Sequence, residues 1–181
     1  MAESWVNDVL HFWFVELLPH AWFSGDAGTD ALIRMRFLAL HEELRRGLPP
    51  GALLAPEPAL AAVIALDQFP RNLYRGQPEA FAADGVALAT AERAVALGFD
   101  RTFDPTRRHF FYLPFMHAED RAIQARSVEL CAALGDGDVL AYAWRHREII
   151  DRFGRFPHRN AVLGRPSTRE EVEFLKAGRG F

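Results

Sequence analysis

Residues Phe99–Met116 read FDRTFDPTRRHFFYLPFM, and the choice of fold class turns on them. They form the longest stretch without a clear hydrophobic period. Within them, His109–Phe115 (HFFYLPF) is the only run with the aromatic density of a strand. A lone strand needs a partner, and the chain offers no obvious second run to pair with it. Glycine-rich phosphate loops of either common type are absent, as is any alternation of strand and helix. The expected fold is therefore all-α, with residues 99–116 as an irregular connection.

On either side, apolar residues recur at helical spacing. Val6, Val9, Leu10, Trp13 and Leu17 mark a helix from Trp5 to about Leu17, with Ser4 as its N-cap. Ile33, Phe37, Leu40 and Leu44 mark a second from about Asp30 to Arg46, and Gly47 suits a left-handed stop. The run LPPGALLAPEP (48–58) is too rich in proline for a helix interior. Pro58 opens a third helix reaching about Phe69, where Pro70 blocks continuation. Pro78 opens a fourth, closed by Gly98. A fifth covers about Ala118 to Leu134, and a sixth about Val139 to Phe153, ending at Gly154. Ser167-Thr-Arg-Glu170 has the capping-box pattern before a last short helix.

The chain has 181 residues, which fits a single domain spanning 1–181. Half of them are apolar and a quarter charged, an ordinary globular balance. A net charge of −3 exerts no global pull on nucleic acid. A single cysteine, Cys131, excludes an internal disulfide framework and a multi-cysteine zinc site, and fits a reducing cytoplasm. The N-terminal stretch lacks a basic lead and is not read as a signal peptide. No apolar run reaches the roughly 18 residues of a membrane span, so no membrane partner is expected. The basic residues are nearly all arginine, Lys176 being the one lysine.

Polar residues fall where apolar ones are expected. His117, Asp120 and Gln124, at i, i+3 and i+7, share the apolar stripe of Ile123, Leu130 and Leu134. The acids Glu119 and Asp120 also suit the positive end of a helix dipole, so a structural role fits them equally. His146 lies on the stripe of Val139, Ala143, Ile150 and Phe153, where a histidine is either a satisfied core residue or a ligand-binding one.

Two related motifs end apolar segments: Asp67-Gln-Phe-Pro-Arg-Asn72 and Arg152-Phe-Gly-Arg-Phe-Pro-His-Arg-Asn160. Phe-Pro stops the helix, and asparagine tolerates the conformation that follows. Arg152, Arg155, Arg159 and Arg165 crowd one turn in numbers beyond what helix capping requires. They need anionic partners, either internal carboxylates such as Asp67, Glu119 and Asp120 or a bound anion gripped by guanidinium forks.

At these motifs, LDQFPRNLYRG, AFAADGVAL, YLPFMHAEDRAIQ and the run from His146 to Arg165, the chain resembles the uncharacterised bacterial family DUF924 over nearly its whole length. The resemblance implies antiparallel helix pairs in a tetratricopeptide-like, right-handed stack. It also implies a polar signature of Asp67, Arg71, Asn72, His117, Glu119, Asp120, Gln124, His146, Arg152, Arg155, His158, Arg159 and Asn160. Ala118 stands where relatives often carry serine. The family brings no established activity.

The function expected first is a small-molecule pocket for a carboxylate or phosphate, with hydrolytic or lyase chemistry. Arg155 and Arg159, with Arg71, would hold the anion. His117 or His158 would act as acid or base, oriented by Asp120 or Glu119. Asp67, Asn72, Gln124, His146, Arg152 and Asn160 would complete the binding set. No cofactor is expected. A metal variant, drawing on His117, His146, His158 and Asp67 or Asp120, lacks any tight ligand spacing. The alternative is a helical scaffold that binds a protein or peptide, with the polar clusters as buried struts.

Overall fold

The structure, a computed structural model, describes residues 4–178. All of its regular elements are helices; no strand occurs among the described residues. The chain resolves into two compact units, Met1–Arg75 with Glu79–Pro114, and Gly76–Pro78 with Phe115–Phe181.

In the first unit, α1 (Ser4–His11) passes into a π-helical turn (Phe12–Glu16), so the expected helix to Leu17 is broken in its last third. Ser4 opens α1, and its hydroxyl bonds the Asp8 carboxylate at 3.3 Å. Next, α2 (Ala27–Leu44) starts earlier than expected because Asp26 caps it, accepting from the Thr29 N–H at 2.7 Å. Arg45 ends α2 in right-handed geometry, and Gly47 does not take the left-handed stop proposed for it.

At the centre of the unit lies α3 (Pro56–Asp67), packed against α1, α2, α5 (Asp84–Ala96) and α4 (Phe69–Leu73). Every residue from Ala59 to Asp67 is buried, as expected of a helix apolar on all sides. Pro70 does not end the segment. It interrupts the hydrogen-bond ladder at Gln68 and sits in the first turn of α4, where its missing N–H costs nothing. Phe12, Trp13, Phe37 and Phe69 form the aromatic core, with ring centroids 4.8–6.4 Å apart.

HFFYLPF is a helix. It belongs to α6 (Pro105–Met116), whose first turn is held by Asp104 accepting from the Arg107 N–H at 3.1 Å. All residues from Phe110 to Met116 are buried, so no solvent face exists to impose a period. Aromatic density marked packing on every side rather than a pleated sheet. Pro114 falls in the last turn, near the helix end.

The second unit holds α7 (Arg121–Ala132), α8 (Gly137–Phe153) and α9 (Arg169–Lys176). α7 packs along α8, and Ile149, Ile150 and Phe156 form a core against which Phe153 and Phe174 rest. Gly154 ends α8 at φ +69°, a conformation that costs an L-residue strain. The capping box of α9 lies one residue beyond the expected one, with Thr168 and Glu171 as the reciprocal pair. No helix among the described residues is long and apolar enough to cross a membrane.

Candidate functional site

The site of interest lies in the second unit and starts from a turn. Where α6 gives way to α7, carbonyl groups lose their helical partners. Gln124, fully buried, donates its amide to the Met116 and Ala118 carbonyls at 2.7 and 2.8 Å, with Phe115 at 3.4 Å. Asp120 caps α7, accepting from Ala122 and Ile123 N–H at 2.8 and 2.9 Å. Together they fix the backbone that presents His117.

Facing that turn is the segment after Gly154. Phe156 is fully buried, and its ring is a platform. His146 of α8 meets it edge-on at 5.6 Å, His158 lies 5.7 Å away, and the Arg159 guanidinium stacks over it at 4.6 Å. His117 stands 6.2 Å from His146, ring to ring. Arg159, itself buried, donates to the His117 carbonyl at 3.1 Å. Two imidazoles and one guanidinium thus pack on a single aromatic ring, and a third imidazole, His117, stands against one of them.

His146 is buried and donates Nδ1–H to the Tyr142 carbonyl at 2.8 Å, which leaves Nε2 as the lone-pair nitrogen. Burial, then the field of His117, pushes its pKa down to about 3; the Tyr142 carbonyl works against that, and Arg159 and His158 add to it. It is a neutral imidazole at physiological pH, an acceptor rather than a cation.

Glu119 ties the two segments together. Its carboxylate accepts from the Phe156 N–H at 2.7 Å and from both Arg165 terminal nitrogens at 2.6 and 2.9 Å. Burial opposes its charge, but Arg165, the Phe156 N–H and the charge of Arg159 outweigh burial and hold its pKa below the usual range. Arg165 also donates to Asn160 Oδ1 at 3.1 Å, while Asn160 Nδ2 donates to Ser167 Oγ at 3.1 Å.

The other arginines of the cluster are gripped by carboxylates. Arg155 makes a fork to Glu171 at 2.7 and 2.8 Å and donates to the Pro166 carbonyl at 2.9 Å. That fork lowers the Glu171 pKa to about 2 although its carboxylate is only 2% exposed. Arg152 bonds Glu170 at 2.6 and 2.8 Å and lies over Phe153 at 4.8 Å. An open groove of about 320 Å³ beside it is lined by Arg145, Glu148, Ile149, Arg152 and Phe174, without the histidines.

Asp67, Arg71 and Asn72 belong to the first unit and have partners there. Arg71 forks onto Asp84 at 3.0 and 3.1 Å and lies 3.4 Å from the buried Asp67. Burial works against its charge, but Asp67 and Asp84 prevail and hold its proton more firmly than usual. Asn72 donates to Asp30 at 2.8 Å, and Arg75 grips the same carboxylate. The histidine–carboxylate metal set does not assemble: among the described residues no three His, Cys, Asp or Glu side chains are placed to hold an ion. Sequence reasoning passed over Phe156 as a helix stop, and it named Glu119 among the carboxylates for the arginine cluster without pairing it to Arg165; a fully buried ring between two histidines has no signature in one sequence.

The family described as "Bacterial protein of unknown function (DUF924)" matches residues 9–179. No curated protein matches. A solved structure described as a protein of unknown function, ATU0120, from Agrobacterium tumefaciens is 40% identical, with a TM-score of 0.94 over 98% of this chain and 100% of that one. The motifs that suggested the resemblance all lie inside the matched span, and the chain belongs to the DUF924 family.

Proposed function

We propose that the second unit binds a small anionic molecule, a carboxylate or a phosphate, at the face of His117, His158 and Arg159. The observation that carries this is the packing of His146, His158 and the buried Arg159 guanidinium on the Phe156 ring, with His117 beside His146. His117 and His158 are only partly buried and can reach a ligand, whereas His146 is held neutral behind them. A guanidinium in a poorly hydrated setting favours an anion strongly. If the bound molecule turns over, His117 or His158 moves the proton in hydrolytic or lyase chemistry, and His146 Nε2 accepts a hydrogen bond. Glu119 acts through Phe156 and Arg165 and does not itself meet the ligand. Arg155, gripped by Glu171, is left out of the binding set.

A scaffold role has its own supporting observation, the pairing of Arg152, Arg155 and Arg165 with Glu170, Glu171 and Glu119. Thermal shift against inorganic phosphate and a panel of mono- and dicarboxylates separates the two. Saturable stabilisation lost in His158→Ala and His117→Ala, with both variants folded, supports the anion site. A flat response to every anion supports struts.

A further inference from the structure

The sulfur side chains among the described residues are Met35, Met116 and Cys131, and the fold treats them differently. Met35 of α2 is 75% exposed, whereas Met116 at the end of α6 is 2% exposed and Cys131 of α7 is wholly buried. Met1 lies outside the described residues. Exposure and thiolate character govern how fast an oxidant attacks sulfur. Cys131 lacks both: burial pushes its thiol up to about 11, with Ser127 pulling the other way. A thioether needs no deprotonation, so exposure alone decides between the two methionines. The position of Met35 also decides what oxidation does to the fold. Helix α2 packs inward through Ile33, Phe37, His41 and Leu44, and Met35 is not among these buried residues. A sulfoxide at Met35 sets its polar oxygen in water, whereas one at Met116 would put an acceptor inside the buried run Phe110–Met116.

We propose that Met35 is a reversible redox-modification site, oxidised by hydroperoxides to the sulfoxide with the fold intact, while Met116 and Cys131 are shielded. In the forward step the Met35 Sδ attacks one peroxide oxygen and gives up two electrons as the O–O bond breaks. The attacked oxygen becomes the sulfoxide oxygen. Its proton goes to the other oxygen, which leaves as water, or as an alcohol when the oxidant is an alkyl hydroperoxide. In the reverse step a dithiol reductant removes the oxygen as water and is itself oxidised to a disulfide. The same exposure that admits the peroxide leaves the sulfoxide open to an enzyme that reduces it.

Hydrogen peroxide added to the full chain at neutral pH, folded and in urea, tests the proposal. Mass spectrometry locates the added oxygen after cleavage at glutamates, because trypsin would leave Met35 in a dipeptide with Arg36. In the folded chain Met35 should be oxidised about tenfold or more faster than Met116 or Cys131, and urea should erase its lead over Met116. Circular dichroism and the melting temperature should hold at full conversion of Met35. The two epimer-specific methionine sulfoxide reductases, with dithiothreitol, should then restore the thioether in the folded chain. Met35→Leu should leave Met116 and Cys131 as slow to react as before. Equal rates at Met35 and Met116 in the folded chain, a melting temperature that falls as Met35 converts, or a sulfoxide reduced only in urea overturns the proposal.

Discussion

Replacing His146 by leucine should flatten the acid limb of the stability curve. In the folded chain the His146 pKa is pushed down to about 3, against an ordinary value of 6.5. Below pH 6.5 the unfolded chain takes up a proton that the folded one refuses, so stability is complete above that pH and is lost as pH falls. The loss ends near the folded pKa of about 3. The slope tends to about 1.4 kcal/mol per pH unit per proton, so His146 alone should cost about 2 kcal/mol between pH 7 and pH 5. His41, buried and also depressed, chiefly by desolvation, adds a slope in the same window and remains in the variant. Glu119 and Glu171, with pKa values below an ordinary 4.5, lose their stabilising charge only at lower pH. Urea unfolding at pH 7, 6 and 5 isolates the histidines. Wild type should lose about 2 kcal/mol more than His146→Leu over that range. Equal losses in the two proteins, or a His146 resonance titrating near pH 6.5, would refute the reasoning.

Other outcomes follow from the same contacts. Arg155→Ala should destabilise the fold, because Glu171 loses its guanidinium fork and keeps the Thr168 N–H of the capping box, and anion binding at the His158 face should survive in the folded fraction; calorimetry and phosphate titration read both effects. Gln124→Leu strips donors from the turn carbonyls and should cost about 1–3 kcal/mol in denaturant titration. Gly154→Ala meets open space, so only the φ of +69° resists it, and about 1 kcal/mol should be lost.

Much of the helical outline was legible because α2, α7 and α8 each keep a wet face, and a wet face leaves a period. α6 keeps none over Phe110–Met116, so the same reasoning left it as an irregular connection with the aromatic density of a strand. The inward position of His146 could be read from its stripe, and so could the crowding of arginines. Which carboxylate meets which arginine could not. Glu119 and Arg165 stand 46 residues apart, Arg155 and Glu171 16 apart, and their pairing is set by tertiary packing. The capping box was misread by one residue because Glu170 and Glu171 are both glutamates, and only the geometry distinguishes Thr168 as the cap.

The most direct test of the anion site is a phosphate titration followed through the imidazole carbon-bound protons of His117, His146 and His158 near neutral pH. The account predicts saturable shifts at His117 and His158 with one dissociation constant, and their loss in His158→Ala while the fold persists. Imidazole signals that stay still while phosphate and the carboxylates are raised to excess would contradict it and leave the clusters as struts.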